Sequence, residues 1–238
     1  MIAVLVPVLN RPERVRPLAE SCAAASTHVS RLVFIVSMDD AEEMSAVRHA
    51  VLAMPEFVEA VIATFPVEGG DYARKINHGI RHTTEPWVFQ AGDDVHFHPG
   101  WDTEALAIAM RSDAGCVIGT NDLGNPVVKS GMHSTHSLIR RTYIEELGTI
   151  DEPGKALHEG YWHCWVDNEL IETAKSRRAY FAARLSVVEH LHHIWPVKAG
   201  SRERKGTVDA TYRRGQERYH EDHRLFIERR PLWRGRRR

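Results

Sequence analysis

No stretch of this chain stays apolar for the ~18 residues that a membrane-spanning helix requires, and no basic segment precedes the apolar run Ile2–Pro7. Those two absences argue against a membrane span and a signal peptide, so the N-terminus is expected to be the first strand of a fold. Cysteine is scarce. Cys22, Cys116 and Cys164 are odd in number and far apart, which argues against a disulfide framework and predicts reduced thiols in a cytoplasmic protein. Internal repeats, low-complexity linkers and a composition shift that would mark a domain boundary are missing too. So is an excess of charge of one sign: 31 Lys and Arg face 32 Asp and Glu, for a net charge of −1. That balance hides an asymmetry. Residues 229–238 hold six arginines and no acid, which leaves the remainder at about −7. The Arg-rich tail reads as a solvated terminus, or as a weak contact for a polyanion or an anionic membrane surface.

What is present is enough for one domain with a real core: 238 residues, 43% hydrophobic and 26% charged. Strand-like runs at 2–8, 31–36, 58–64 and 87–90 alternate with helical periods at 13–25 and 41–53 and after Gly69-Gly70-Asp71, where Asp71 is a candidate cap. This alternation predicts an α/β fold with a mostly parallel, twisted central sheet flanked by helices. The second half is less regular, with strands expected at 115–119, 137–140 and 185–190 and helices at 142–147, 165–176 and 209–228. Ligands on such sheets gather beyond the carboxyl ends of the strands. Asn10, Asp39, Asp93 and Asp94 all follow strand ends, so the fold is expected to collect them on one edge.

Four groups carry possible chemistry. Asp93-Asp94 places two carboxylates side by side after an apolar strand, and they repel unless a cation such as Mg²⁺ or Mn²⁺ sits with them. A solvated turn is the plainer alternative. His190-Leu191-His192-His193 ends a strand, where His190 and His192 share a face and either ring is a candidate partner for Asp94. Trp162-His163-Cys164-Trp165-Val166-Asp167-Asn168-Glu169 sets aromatic faces beside acids, an arrangement suited to a sugar and equally to core packing and helix capping. Arg74-Lys75, with Asn77 and His78, puts basic groups near a helix start, which suits a diphosphate or simply a solvated face. By themselves the Asp and His clusters are also what a metal-dependent hydrolase or nuclease carries. A non-catalytic binding module with a polyanion-holding tail is a further alternative.

Taken in order, these segments resemble the large inverting glycosyltransferase family 2, of the GT-A fold, over roughly residues 2–195. Val4–Arg11 looks like the family's opening strand and nucleotide-contacting turn. Phe34–Asp40 looks like its second strand and acid, and Ala73–Ile80 like its ARNxGI-type helix. Phe89–Val95 with Pro99-Gly100-Trp101 is similar to the metal-binding DXD segment, Ser137–Arg141 with Leu147-Gly148 to the strand and helix before the acceptor site, and Val166–Leu170 to the EDxxL acceptor motif. The sequence departs from the pattern at Gly92, where the first Asp of DXD would stand, and at Val166, where the Glu would stand. The Gly-rich N-terminal loop of a sugar nucleotidylyltransferase is absent. The resemblance implies an enzyme that moves a sugar, with inversion, from a nucleoside diphosphate sugar to an acceptor hydroxyl with the help of Mn²⁺ or Mg²⁺. It assigns Asp167 as base and Pro7, Asn10, Arg11, Asp39, Arg74, Asn77 and Asp93 to the donor. It assigns Trp162, Trp165 and Glu169 to the acceptor, and Asp94 with His192, or failing it His190, to the metal. The expected layout is one GT-A-like domain over 1–228: a nucleotide-binding half to about 112, an acceptor half to about 200 and a helical extension to 228. The tail follows it.

Overall fold

The computed structural model describes residues 1–65, 71–111, 116–198 and 201–235. The first half follows the expected alternation: β1 (Ile2–Pro7), α1 (Pro12–Ala25), β2 (Val29–Ser37), α2 (Ala41–Ala53), β3 (Val58–Ala63), α3 (Tyr72–Arg81) and β4 (Trp87–Gln90). Two elements not foreseen from the sequence come next, β5 (Val95–Phe97) and α4 (Trp101–Ala109). Then come β6 (Val117–Asn121), α5 (Pro126–Lys129), β7 (Ser137–Arg140), α6 (Arg141–Glu146), α7 (Val166–Ser176) and β8 (Tyr180–His190). The chain ends in α8 (Ala210–Glu217), α9 (Tyr219–Arg229) and α10 (Pro231–Arg234).

The strands lie in the order β3-β2-β1-β4-β7-β6-β8-β5. β3, β2, β1 and β4 run parallel. The parallel expectation weakens in the second half, where β7 is antiparallel to both neighbours and β5 is antiparallel to β8. The sheet is therefore mixed. All six residues of β1 are buried, because helices cover both faces. Ile2, Val4 and Val6 pack with α1, α2 and α4, whereas Leu5 packs with α3. A strand covered on both sides loses the apolar–polar alternation and reads as a continuous hydrophobic run. α3 approaches the sheet closely through Gly79, where a Cβ would lie 3.0 Å from Ile35 Cδ1.

Several boundaries differ from the sequence reading. β8 begins at Tyr180, five residues early, because its first part pairs with β6 and only its end pairs with β5. The single helix expected over 209–228 breaks at Arg218 into α8 and α9. Asp71 stands before α3 without capping it; its carboxylate lies 3.2 Å from Lys75 Nζ instead. Gly69, Gly70 and residue 115, the first of an expected strand, lie outside the described residues. The tail is helical as far as Arg234, and Trp233 is only 1% exposed, so the expectation of a frayed terminus from residue 229 does not hold there. Among the described residues no helix is long and apolar enough to cross a membrane. Cys22 and Cys116 are buried thiols and Cys164 is half-buried.

Candidate active site

The carboxyl ends of β1 and β4, the end of β8 and the start of α7 surround a cavity of about 690 Å³. Asp93 and Asp94 follow β4 and are buried in its wall. Strand register brings the other groups to them. β5 pairs with β8 so that Val95 stands opposite His190, and the Leu191 N–H donates to the Asp94 carbonyl at 2.8 Å. His190 Nε2 then lies 3.2 Å from Asp94 Oδ2. β7 pairs with β4 so that Ser137 stands opposite Gln90, which sets His136 beside the same turn. Ligand atoms of Asp94, His136 and His190 all lie within 4.8 Å of one another. The cluster packs closely around Gly92. A Cβ there would lie 2.8 Å from Asp94 Oδ1 and 3.3 Å from His136 Nε2.

Electrostatics in this wall are divided between the two acids. Burial raises Asp93 above the usual carboxylate range, with Arg11 opposing and Asp94 adding to the rise. At Asp94 burial is outweighed by His190, Arg11 and the Tyr212 hydroxyl, and the group is held well below that range. His190 shows the reciprocal effect: burial lowers it, but Asp94 outweighs burial and the ring is raised. Burial and His190 push His136 down to about 3. Its Nδ1 is buried without a hydrogen-bond partner, so the cluster includes a neutral ring with an idle nitrogen. One carboxylate and two imidazoles are a donor set that suits a divalent transition ion, so the residues fit the metal that the sequence led us to expect.

The C-terminal segment closes this wall, which the sequence reading had not assigned to the site. Arg11 is 3% exposed. Its guanidinium bonds Asp93, lies 3.6 Å from Asp94 Oδ2 and reaches Asp209 at 2.8 Å. Asp209 caps α8 by accepting from the Tyr212 N–H at 2.9 Å. The Tyr212 hydroxyl donates to Asp94, and its ring lies against Arg11. Thr211 donates to the Leu9 carbonyl at 2.8 Å. The sequence placed Asp209 at the start of an expected helix and offered nothing to connect it with Arg11, 198 residues away.

On the opposite wall stands Asp167, at the start of α7, with Oδ2 3.2 Å from His133 Nε2. Trp165 precedes it at φ +69°, a left-handed conformation that costs a bulky residue roughly 1–3 kcal/mol. Its ring packs on Tyr219, His223 and Phe226 of α9, which holds it there. Tyr72 also lines the cavity and donates to Gln90 and to the Ala91 carbonyl.

Of the residues singled out from sequence, Pro7, Arg11, Asp93, Asp94, Trp165, Asp167, His190 and His192 line the cavity. His192 does so outside the Asp94–His136–His190 cluster. Its Nδ1 accepts the Ile194 N–H at 3.2 Å, and its ring stacks on His193 and lies tilted against Tyr212. Asn10 is exposed at φ +56°, a left-handed turn that Asn tolerates. Asp39 is exposed beyond β2 while Asp40 caps α2.

Five others are engaged elsewhere. Arg74 lies over the Phe65 ring and Trp162 under Arg218. Asn77 is buried and spends its amide on the loop at 156–159. Glu169 is buried and accepts from the Tyr161 hydroxyl at 2.7 Å and from Arg229 at 2.8 Å. Lys75, grouped with Arg74 as a diphosphate contact, is fully buried and donates to the Val8 carbonyl.

The sequence model of the family described as Glycosyl transferase family 2 matches residues 3–173. No curated protein matches the chain in sequence. Solved structures do match in fold. The mannosyltransferase PcManGT from Pyrobaculum calidifontis, in complex with GDP-Man and Mn²⁺, has a TM-score of 0.62 at 16% identity, over 79% of this chain and 56% of that one. This chain thus spans little more than half of that enzyme. TarS residues 1–349 from S. aureus give a TM-score of 0.61 at 11% identity, over 98% and 77% of the two chains. Glucosyl-3-phosphoglycerate synthase from Mycobacterium tuberculosis, with Mn²⁺, UDP and glucosyl-3-phosphoglycerate, gives 0.55 at 13% identity, over 80% and 71%. At such identities the likeness is one of fold. The family match spans β1 to α7 and takes in the acidic turn, His136 and Asp167, so this chain, an α/β protein of GT-A fold, belongs to glycosyltransferase family 2.

Proposed function

We propose that this chain is a metal-dependent glycosyltransferase that moves a sugar from a nucleoside diphosphate sugar to an acceptor hydroxyl in a single inverting displacement. The observation that carries the reading is the convergence of Asp94, His136 and His190, ligand atoms within 4.8 Å, in the wall of one large cavity. Those three residues would hold the ion, and two imidazoles beside one carboxylate favour Mn²⁺ over the harder Mg²⁺. A divalent ion there supplies positive charge to a departing diphosphate. The mannosyltransferase and the synthase that share the fold were both solved with Mn²⁺ and a nucleotide.

The chain's own residues do the rest. The turn from Pro7 to Arg11 and the exposed Asp39 stand beyond adjacent parallel strands, a location suited to the nucleoside. Arg11 keeps Asp93 and Asp94 close together despite their repulsion. Trp165 offers an aromatic face to the acceptor, and Asp167 anchors the base function that removes the acceptor proton.

Calorimetric titration with GDP-mannose, UDP-glucose and UDP-GlcNAc, with and without Mn²⁺, tests the reading. One of the three should bind with Mn²⁺, and Asp94→Asn should abolish the Mn²⁺-dependent part while the far-ultraviolet spectrum stays the same. Equal affinity in the substituted protein sinks the metal assignment. Binding of none of the donors sinks the transferase reading.

A further inference from the structure

Beside Asp167 lies a histidine that no sequence pattern singled out. His133 and Asp167 both line the cavity, with side chains 12% and 22% exposed, and His133 Nε2 lies 3.2 Å from Asp167 Oδ2. The other carboxylate oxygen, Oδ1, accepts the Asn168 N–H at 2.9 Å. Both oxygens are therefore engaged by donors. Burial raises the Asp167 pKa, but His133 and the Asn168 N–H outweigh burial and hold it below the ordinary carboxylate range. A carboxylate held in this way is a poor proton acceptor near neutral pH. When Nε2 donates to Asp167, the neutral imidazole carries its lone pair on Nδ1, and among the described residues none hydrogen-bonds that atom.

The loop that carries His133 is fixed on both sides. Lys175 Nζ, on the same helix as Asp167, donates to the Met132 carbonyl at 2.6 Å. On the other side the Thr120 N–H donates to Ser134 Oγ at 3.1 Å, and Gln90 Nε2 donates to the Thr135 carbonyl at 2.9 Å. Backbone pinned between α7, β6 and β4 keeps the ring in register with the carboxylate, as a preorganised acid–base pair requires. Asp167 in turn lies within electrostatic reach of Tyr72, His136 and His190, so the carboxylate of the pair lies near the cluster at which the donor is proposed to bind.

We infer that His133 is the catalytic base of this chain: its Nδ1 takes the proton of the acceptor hydroxyl, while Asp167 orients the ring and stabilises the imidazolium. The inference rests on the transferase reading above and deepens it. In the step, the acceptor O–H bond breaks and its proton passes to His133 Nδ1. The freed electron pair forms a bond to the anomeric carbon, and the bond from that carbon to the diphosphate oxygen breaks, its pair leaving on the nucleoside diphosphate. Asp167 stays ionised throughout, and the imidazolium afterwards returns its proton to solvent. Carboxylate and imidazole on separate elements with this division of labour form a recurring arrangement in acyl-transfer enzymes, and here the same chemistry serves a sugar acceptor.

The test uses the full chain with Mn²⁺ and the three donors named above, water serving as acceptor and nucleoside diphosphate release as the readout. His133→Ala and His133→Gln should each lower kcat by about 10²–10⁴-fold with unchanged calorimetric donor affinity. Added imidazole should restore His133→Ala in proportion to its free-base form.

Wild-type rates in both substituted proteins overturn the inference. So does loss of donor affinity along with turnover in an unrescued His133→Ala, which marks a structural role. Loss of turnover in Asp167→Asn with none in the His133 variants returns the base to the carboxylate and leaves the transferase reading standing. Absence of turnover in the wild type on every donor overturns that reading and the pair together.

Discussion

At the scale of single residues, Glu43 and Asn77 show how a polar side chain close to a site differs from one within it. Glu43 is fully buried on α2. Its Oε1 accepts the Arg11 N–H at 2.5 Å, while Oε2 has no partner. Burial, opposed by that hydrogen bond, pushes its pKa up to about 7. A carboxyl with a raised folded-state pKa binds its proton more tightly folded than unfolded, so folding is favoured at low pH. That contribution is complete below about 4.5 and is lost as pH rises towards 7, at up to roughly 1.4 kcal/mol per pH unit for one proton. Glu43→Gln should remove this slope and raise the urea midpoint at pH 8 relative to wild type. An unchanged slope between pH 4.5 and 7 would place the proton elsewhere. Asn77 was expected to touch the donor; with its amide committed to the Ala156–Glu159 loop, Asn77→Ala should instead cost about 2–3 kcal/mol of stability through unpaired buried groups. Donor affinity in titrations below the melting range should stay within twofold of wild type, and a large loss would restore the donor role.

At the scale of elements, the C-terminal helices belong to the site and to the core, although the family match ends at residue 173. α8 presents Tyr212 to Asp94, and its capping Asp209 holds Arg11, so the acidic turn is held by side chains from both ends of the chain. Tyr212→Phe removes the hydroxyl that takes up an Asp94 oxygen. It should weaken the metal-free fold by about 1.5–3 kcal/mol, the value of a hydrogen bond to a charged group, and strengthen Mn²⁺ binding measured by calorimetry. Weaker Mn²⁺ binding would show that the hydroxyl serves the metal-loaded site. Further along, Trp233 is buried against Phe226, and Arg229 bridges Asp151 and Glu169 at 2.7 and 2.8 Å. A chain ending at Glu228 should therefore lose the ~3–5 kcal/mol typical of a deleted core tryptophan, a fall in Tm of roughly 6–20 °C for a domain of this size. A Tm within 2 °C of the full chain would restore the view of residues 229–238 as a solvated tail.

At the scale of the whole molecule, the proposed donor would span both walls of the cavity, since β1, the turn after β4, α7, β8 and α8 all contribute to its lining. A ligand that binds only the folded state stabilises it by about 2.7 kcal/mol at a hundred times its Kd. At that excess, donor with Mn²⁺ should raise Tm by roughly 5–11 °C, and donor with a chelator should raise it far less. Equal shifts under both conditions would remove the metal from donor recognition.

What the amino-acid sequence determined was the part written in local pattern. Buried parallel strands read as continuous apolar runs, amphipathic helices as a 3.6-residue period, and the acidic turn after β4 as a motif at a strand end, because each signal is set by residues close together in the chain. That was enough for the α/β class, the GT-A resemblance, and Asp94 and Asp167 as cavity groups. The residues that complete the cluster were decided by strand register. His190 reaches Asp94 through antiparallel pairing of β5 with β8, and His136 through pairing of β7 with β4, and neither register leaves a trace in local periodicity. His192 and His190 share a strand face on paper, yet the chain leaves β8 after His190 and the equivalence is lost. Asn77, Glu169 and Lys75 looked like site residues because their chemistry suits a ligand. Only the tertiary structure showed that loop 156–159, Arg229 and the Val8 carbonyl had already claimed them, since a buried polar group takes whichever partner folding brings within reach.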